Sequence, residues 1–325
     1  MRQVVIFGAG NIGSRHLQAL KRVKTPLKIH VIDPSMNALN ISKERYDSIH
    51  PDKNYHEISY SNELNIQEDS IDIAIIATTS KVRRVVIENL LEHKSVNFFI
   101  LEKILFQKEE DYLFIERLLN NNNCKAWVNC TRRLIPFYQN ELKKVFDKKR
   151  IFFSIIASNW GLISNLIHYI DLMVYFIESD AFSIDTSYLD TNPVSTKREG
   201  FIDLTGILQV HFRNGSHGIF NSLSSGNLPG IFEIASNSDF CIINESEGRA
   251  RMLERKNQMN WKDYDAKVIP TSQLTTKIIE DLLENNTCSL TTYKASMNMH
   301  LSFLKPILKF LNDNSKYKYS QYPFT

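Results

Sequence analysis

Six residues near the start, Gly8-Ala9-Gly10-Asn11-Ile12-Gly13, most restrict the folds open to this chain. They fall between a short β-branched run at 4–7 and a stretch with helical spacing at 11–22. Glycine at these places permits a tight turn at Gly8, ligand approach to the backbone at Gly10, and close helix–strand packing at Gly13. The helix that follows offers unpaired N–H groups and the positive end of its dipole, which suits phosphate. Asp33 closes the next apolar run, 29–32, twenty residues past Gly13. A carboxylate there accepts from a ribose 2′-hydroxyl and repels a 2′-phosphate. The pattern predicts a dinucleotide site formed by Gly8, Gly10, Asn11, Ile12, Gly13 and Asp33, with NAD favoured and NADP left open.

The first 130 residues continue this alternation. Residues 71–77 form a near-continuous apolar run, as in a strand buried on both faces. Helical spacing at 82–91 and 111–119 separates strand-like runs at 96–101 and 126–128. Alternation of this kind builds a parallel sheet from βαβ units. After residue 150 the pattern changes. A strand at 151–157 and a helix at 163–177 precede runs at 202–212 and 218–223, which flank Asn214-Gly215, a strong hairpin signal. Further runs at 231–235 and 240–243 surround the turn 237–239, and 296–311 has helical spacing. The expected fold is α/β: a nucleotide-binding domain with a parallel sheet over 1–129, then an α+β domain with a mostly antiparallel sheet over 130–325.

Charge is balanced, with 39 Lys and Arg against 36 Asp and Glu. That removes the electrostatic reason to expect nucleic acid or an anionic membrane as partner. Cys124, Cys130, Cys241 and Cys288 lie too far apart for a zinc ribbon or a disulfide framework. The longest apolar stretch, 160–177, is interrupted by Asn165, His168 and Asp171, which a membrane span tolerates poorly. A soluble, cytoplasmic protein with reduced thiols is expected. His211 and His217 bracket the hairpin without a carboxylate or cysteine to complete a metal set, so they read as strand filling and no metal is expected.

The chain resembles the Gfo/Idh/MocA-type oxidoreductases, in which a Rossmann domain precedes an α+β domain with a large open sheet. The resemblance rests on Gly8–Gly13, on Ala77-Thr78-Thr79-Ser80, on Glu102-Lys103-Ile104, and on Ile167-His168-Tyr169-Ile170-Asp171-Leu172. It implies hydride transfer between a nicotinamide and a carbohydrate hydroxyl or keto carbon, with Lys103 and His168 catalytic. Glu102, Thr78 and Ser80 then fall on the cofactor side, and Asn129, Arg132, Asn165 and Asp171 on the substrate side. Two positions depart from the family pattern. Ile104 replaces a proline that is often a cis-peptide site, and Ser164 stands where many members have Asp four residues before the histidine. Asn165 is the neighbour placed to do part of that carboxylate's work. Trp160–Asn165 and the terminal Tyr322-Pro323-Phe324-Thr325 are most similar to members from surface-polysaccharide pathways. A sugar, sugar phosphate or nucleotide sugar is the implied substrate, and a homodimer or homotetramer the implied assembly.

The residues allow other readings too. An ordinary lysine titrates near 10.4, and burial beside a positive nicotinamide lowers that toward a useful base. Imidazole titrates near 6.5, suited to acid–base work on an alcohol. Thr78 and Ser80 are equally natural helix caps, and Arg132 and Arg133 either grip an anionic group or form salt bridges. A nucleotide-binding sensor without turnover, or an enzyme that recycles its NAD internally, also fits the sequence.

Overall fold

In a computed structural model of the chain, residues 1–49 and 56–325 are described. The first stretch alternates β1 (Arg2–Phe7), α1 (Asn11–Leu20), β2 (Leu27–Ile32), α2 (Met36–Asp47), β3 (Glu57–Ser61) and β4 (Ser70–Ile76). It continues through α3 (Arg83–His93), β5 (Ser95–Leu101), α4 (Glu109–Asn121) and β6 (Lys125–Val128). Next come α5 (Lys143–Phe146), β7 (Phe152–Ser158), α6 (Leu162–Ile177), β8 (Phe182–Leu189), β9 (Val194–Ser195) and β10 (Ile202–Asp203). Strands β11 (Gly206–Phe212), β12 (His217–Leu223), β13 (Ile231–Ala235), β14 (Asp239–Asn244), β15 (Arg249–Glu254) and β16 (Trp261–Asp265) follow. The chain closes with α7 (Thr271–Asn285), β17 (Thr291–Thr292) and α8 (Tyr293–Asn314).

Two compact units result: Met1–Thr131 with Ile269–Lys294, and Arg132–Val268 with Ala295–Thr325. The boundary expected at 129/130 lies close to the break at Thr131/Arg132, but 269–294 returns to the first unit instead of staying in the second. Helix α7 packs on α1 there. The Thr276 hydroxyl donates to the Ala19 carbonyl at 2.9 Å, and Glu280 accepts from the Lys24 N–H at 3.1 Å. Ile278, Ile279 and Leu282 supply its buried face. Such long-range docking leaves no local trace in sequence.

In the first unit the sheet order is β17-β6-β5-β4-β1-β2-β3, parallel throughout except for β17. Strand β4 explains its own apolar run: Ile71, Ile73, Ala74, Ile75 and Ile76 are all fully buried. The chain runs outward from β1 in both directions, so the strand order reverses beside it. Ligands of open α/β sheets bind at the carboxyl ends of the strands flanking such a point.

The second unit carries an eight-stranded sheet ordered β16-β15-β14-β13-β7-β12-β11-β8, antiparallel except where β7 meets β12. Helix α6 covers it through Tyr169, whose ring centroid lies 5.2 Å from Phe232 and 6.0 Å from both Phe153 and Phe220. Asn214-Gly215 forms the expected hairpin, with Gly215 at φ +83° and His211 opposite His217. The strand expected over 202–212 is instead two. Ile202–Asp203 pairs with β9, and the sheet strand begins at Gly206, whose φ of +95° breaks the run. A Cβ at Gly206 would sit 2.6 Å from the Tyr188 carbonyl. No helix among the described residues is long and apolar enough to cross a membrane.

Candidate functional site

Strand ends align a row of polar groups in the first unit. The backbone ladder extends one residue past each strand: Gly8 N–H donates to Ile32, Ala77 to Phe7, Glu102 to Ile76 and Asn129 to Leu101. Gly8, Asp33, Thr78, Lys103 and Asn129 therefore share one edge of the sheet. At its centre the glycine loop packs tightly. Gly8 has φ +94°, and a Cβ on Gly13 would stand 1.7 Å from the Gly8 carbonyl oxygen. Gly10 differs, being exposed, with nothing within 4 Å of where a Cβ would stand. It is also the N-cap of α1, where no side chain caps the helix and no acidic residue occupies the first turn. Open amides, a positive dipole end and a cradle closed to side chains together fit a pyrophosphate. Asp33 is half-buried and accepts from the Ala9 and Ser35 N–H groups, at 2.7 and 2.8 Å. Each carboxylate oxygen keeps a further lone pair for a ribose hydroxyl.

Beyond β5 the edge is braced from beneath. Glu102 is buried, and its Oε1 accepts from His16 Nε2 at 3.0 Å and Asn129 Nδ2 at 2.5 Å. His16 Nδ1 meets the Thr275 hydroxyl at 2.9 Å. Burial would push the Glu102 carboxyl up. The His16 hydrogen bond and charge, Asn129 and neighbouring Lys103 outweigh it and hold the group below the usual carboxylate range. Arg83, 1% exposed, donates to the Thr78, Ile104 and Leu105 carbonyls, tying the ends of β4 and β5 together. Lys103 itself is half-buried, and the Lys103–Ile104 peptide is cis. Ser80 is buried just before α3. Neither His16 nor Arg83 was legible as a site residue, since only folding brings them to the strand ends.

In the second unit α6 presents one polar stripe. Gly161, Ser164, Asn165 and His168 are its half-exposed positions over the first two turns, at the i, i+3, i+4, i+7 spacing of a single helical face. Leu162, Ile163, Leu166 and Ile167 are fully buried on the other side. The helix starts from Gly161 at φ +72° without a cap of its own. Asp203, on β10, caps it from a distance. Its Oδ1 accepts from Ile163 N–H at 2.8 Å, and its Oδ2 from Ser164 N–H at 3.1 Å and the Ser164 hydroxyl at 2.6 Å. A carboxylate thus stands at the position where the helix itself carries serine. Asn165 is committed elsewhere, donating to the Trp160 carbonyl at 2.6 Å. The one sequence signal for Asp203 is a lone acid within Phe201-Ile202-Asp203-Leu204.

The two arginines after β6 are engaged inside the second unit. Arg133 makes a bidentate pair with Asp171, at 2.7 and 2.8 Å, and Asp171 is fully buried. Arg132 bonds Glu245 and the Tyr169 hydroxyl while its guanidinium stacks 4.2 Å above the Tyr169 ring. Tyr138 also donates to Glu245. Of the readings open for these arginines, the geometry gives partly buried salt bridges within one unit. Lys103 and Asn129 belong to the first unit, and Asn165, His168, Asp171 and Arg132 to the second.

No protein-family profile and no curated protein matches the sequence. Solved structures match by fold. An oxidoreductase from Agrobacterium radiobacter in complex with NAD+, L-tartaric acid and magnesium has a TM-score of 0.71 at 16% identity, over 93% of this chain and 94% of that one. The UDP-N-acetylglucosamine 3-dehydrogenase GnnA from Acidithiobacillus ferrooxidans gives 0.72 at 11%, over 97% and 99%. A biliverdin reductase from Synechocystis in complex with biliverdin and NADP+ gives 0.68 at 13%, over 97% and 99%. Across almost its whole length, this chain has the fold these oxidoreductases share, a Rossmann-like parallel sheet joined to a separate, mostly antiparallel one.

Proposed function

We propose that this chain is an NAD(P)-dependent oxidoreductase, with NAD favoured, acting on a hydroxyl or keto carbon of a sugar, sugar phosphate or nucleotide sugar in surface-polysaccharide synthesis. The observation that carries this reading is the strand-end row, in which the Gly8–Gly13 cradle and Asp33 lie on one side and Lys103 on the other. The substrate class draws on the two matched structures whose ligand or named reaction is a polyhydroxy acid or an amino-sugar nucleotide. The fold alone does not choose it, since a tetrapyrrole reductase shares that fold.

When bound, the nicotinamide supplies hydride exchange with the substrate carbon. The chain's own residues bind and manage protons. Amides at the start of α1 hold the pyrophosphate, and the Asp33 carboxylate holds the adenosine ribose. Lys103 hydrogen-bonds the reacting oxygen and stabilises charge on it. In the second unit, His168 is the group suited to take or return a hydroxyl proton, with Ser164 fixed on the same helix face by Asp203. Acid–base help of this kind contributes about 10²–10⁴-fold.

The test is a panel of sugars, sugar phosphates and nucleotide sugars, read by nicotinamide absorbance. A turned-over substrate is expected, and Lys103→Ala should cut its turnover about 10²–10⁴-fold while nucleotide affinity stays within a few-fold. Nucleotide binding with no absorbance change across the panel would point instead to a sensor or to an enzyme that recycles its NAD internally. Unchanged turnover in the variant would remove the lysine from the mechanism.

A further inference from the structure

Asn129 follows β6 and is 4% exposed. Its orientation is chemically fixed. A carboxylate only accepts hydrogen bonds, so the nitrogen must face Glu102, at 2.5 Å, and the amide oxygen must point away. Glu102 cannot swing to release it, because the same oxygen is held by His16, itself fully buried and held by Thr275. That leaves Asn129 Oδ1, a buried acceptor with no hydrogen-bond partner among the described residues. Burying such a group unmet is costly, so a donor from outside the chain would stabilise it there.

We infer that Asn129 Oδ1 accepts a hydrogen bond from the carboxamide N–H of the nicotinamide, making Asn129 a cofactor residue and not a substrate residue. The inference rests on the dinucleotide reading proposed above. A dinucleotide with its adenosine ribose at Asp33 and its pyrophosphate at Gly10 extends across β1 toward the ends of β4, β5 and β6. Its nicotinamide end then reaches the side of the sheet where Thr78, Lys103 and Asn129 stand. The carboxamide carries an N–H₂ donor of the kind this acceptor needs. Through His16, which lies one turn past Gly13 on α1, the glycine loop and the carboxamide acceptor share one buried network.

The test compares three ligands by calorimetry on the full chain: NAD+, 3-acetylpyridine adenine dinucleotide and ADP-ribose. The acetylpyridine analogue replaces the amide N–H₂ with a methyl group and keeps the ring's charge. Wild type should bind NAD+ at least tenfold more tightly than the analogue. In Asn129→Ala the ratio should fall to within about twofold, with ADP-ribose affinity retained. Equal binding of NAD+ and the analogue by wild type overturns the assignment without requiring any variant to fold. A ratio unchanged in Asn129→Ala also overturns it and returns Asn129 to the substrate. Failure of all three ligands to bind overturns the dinucleotide reading itself.

Discussion

The nucleotide edge of the first unit and the polar stripe of α6 in the second are made of different material. The first is mostly backbone: amides at Gly8–Gly13, a ladder running one residue past each strand, and a Gly13 whose Cβ would stand 1.7 Å from the Gly8 carbonyl oxygen. The second is mostly side chain, with Asp203 capping a helix thirty-nine residues away in sequence and Arg133 pairing with Asp171. Backbone sites demand particular residues at fixed local spacing, as Gly8 and Gly13 show by conformation and close approach. Side-chain sites accept contributions from any segment that the fold brings close.

Removing Arg133 should have the largest effect. Arg133→Met takes the bidentate partner from the fully buried Asp171, with an expected loss of about 3–5 kcal/mol in denaturant unfolding. Adding Asp171→Leu should recover most of it. A loss below about 1 kcal/mol for the single variant would show that this side-chain site tolerates rearrangement.

Gly13→Ala tests the backbone site in the same terms, with about 3 kcal/mol lost and no nucleotide binding. Gly10→Ala separates binding from folding. Its Cβ enters open space, so stability should hold within about 0.5 kcal/mol while nucleotide affinity falls. Equal stability losses at the two glycines would break the distinction between cradle and contact surface.

Asp203→Ala should cost about 1–2 kcal/mol through loss of the α6 cap, and Ser164→Ala less, since Asp203 keeps both backbone donors. The smallest effect separates two buried carboxyls by pH. Burial pushes Asp239 up, but Lys149, Ser238, the Arg255 N–H and Ser236 pull it down to about 2. A carboxyl lowered on folding stabilises above its unfolded value, near 4, and loses that contribution as pH falls toward its folded value. Acid unfolding of Asp239→Asn should therefore lack part of the wild-type slope between about pH 4 and 2. Glu102, also lowered, should act in the same direction in the first unit. A wild-type slope in Asp239→Asn would assign the acid sensitivity elsewhere.

Legibility followed the same division. The alternation over 1–130 was readable because parallel strands buried on both faces produce near-continuous apolar runs such as 71–77, which no surface element needs. The Asn214-Gly215 hairpin was readable because its turn requires positive φ. Helix α7 was not, because Ile278, Ile279 and Leu282 gain meaning only against α1. Within the site, the sequence pointed to Gly8–Gly13, Asp33 and Lys103 by position along strands. It pointed to Asn165 as the stand-in for a missing carboxylate, whereas the carboxylate beside Ser164 comes from Asp203 on β10. His16 beneath Glu102 and Arg83 beneath Thr78 were hidden for the same reason: each acts through a contact that the chain makes only once folded.

Everything proposed for the strand-end row depends on its binding a nicotinamide dinucleotide through the Gly8–Gly13 cradle and Asp33. Calorimetric titration of the nucleotide-free protein with NAD+, NADH, NADP+ and NADPH tests that binding most directly. Saturable binding of NAD+ and NADH, at least tenfold tighter than the phosphorylated pair, is the predicted result. No binding of any of the four would contradict it and leave the glycine loop as a packing device alone.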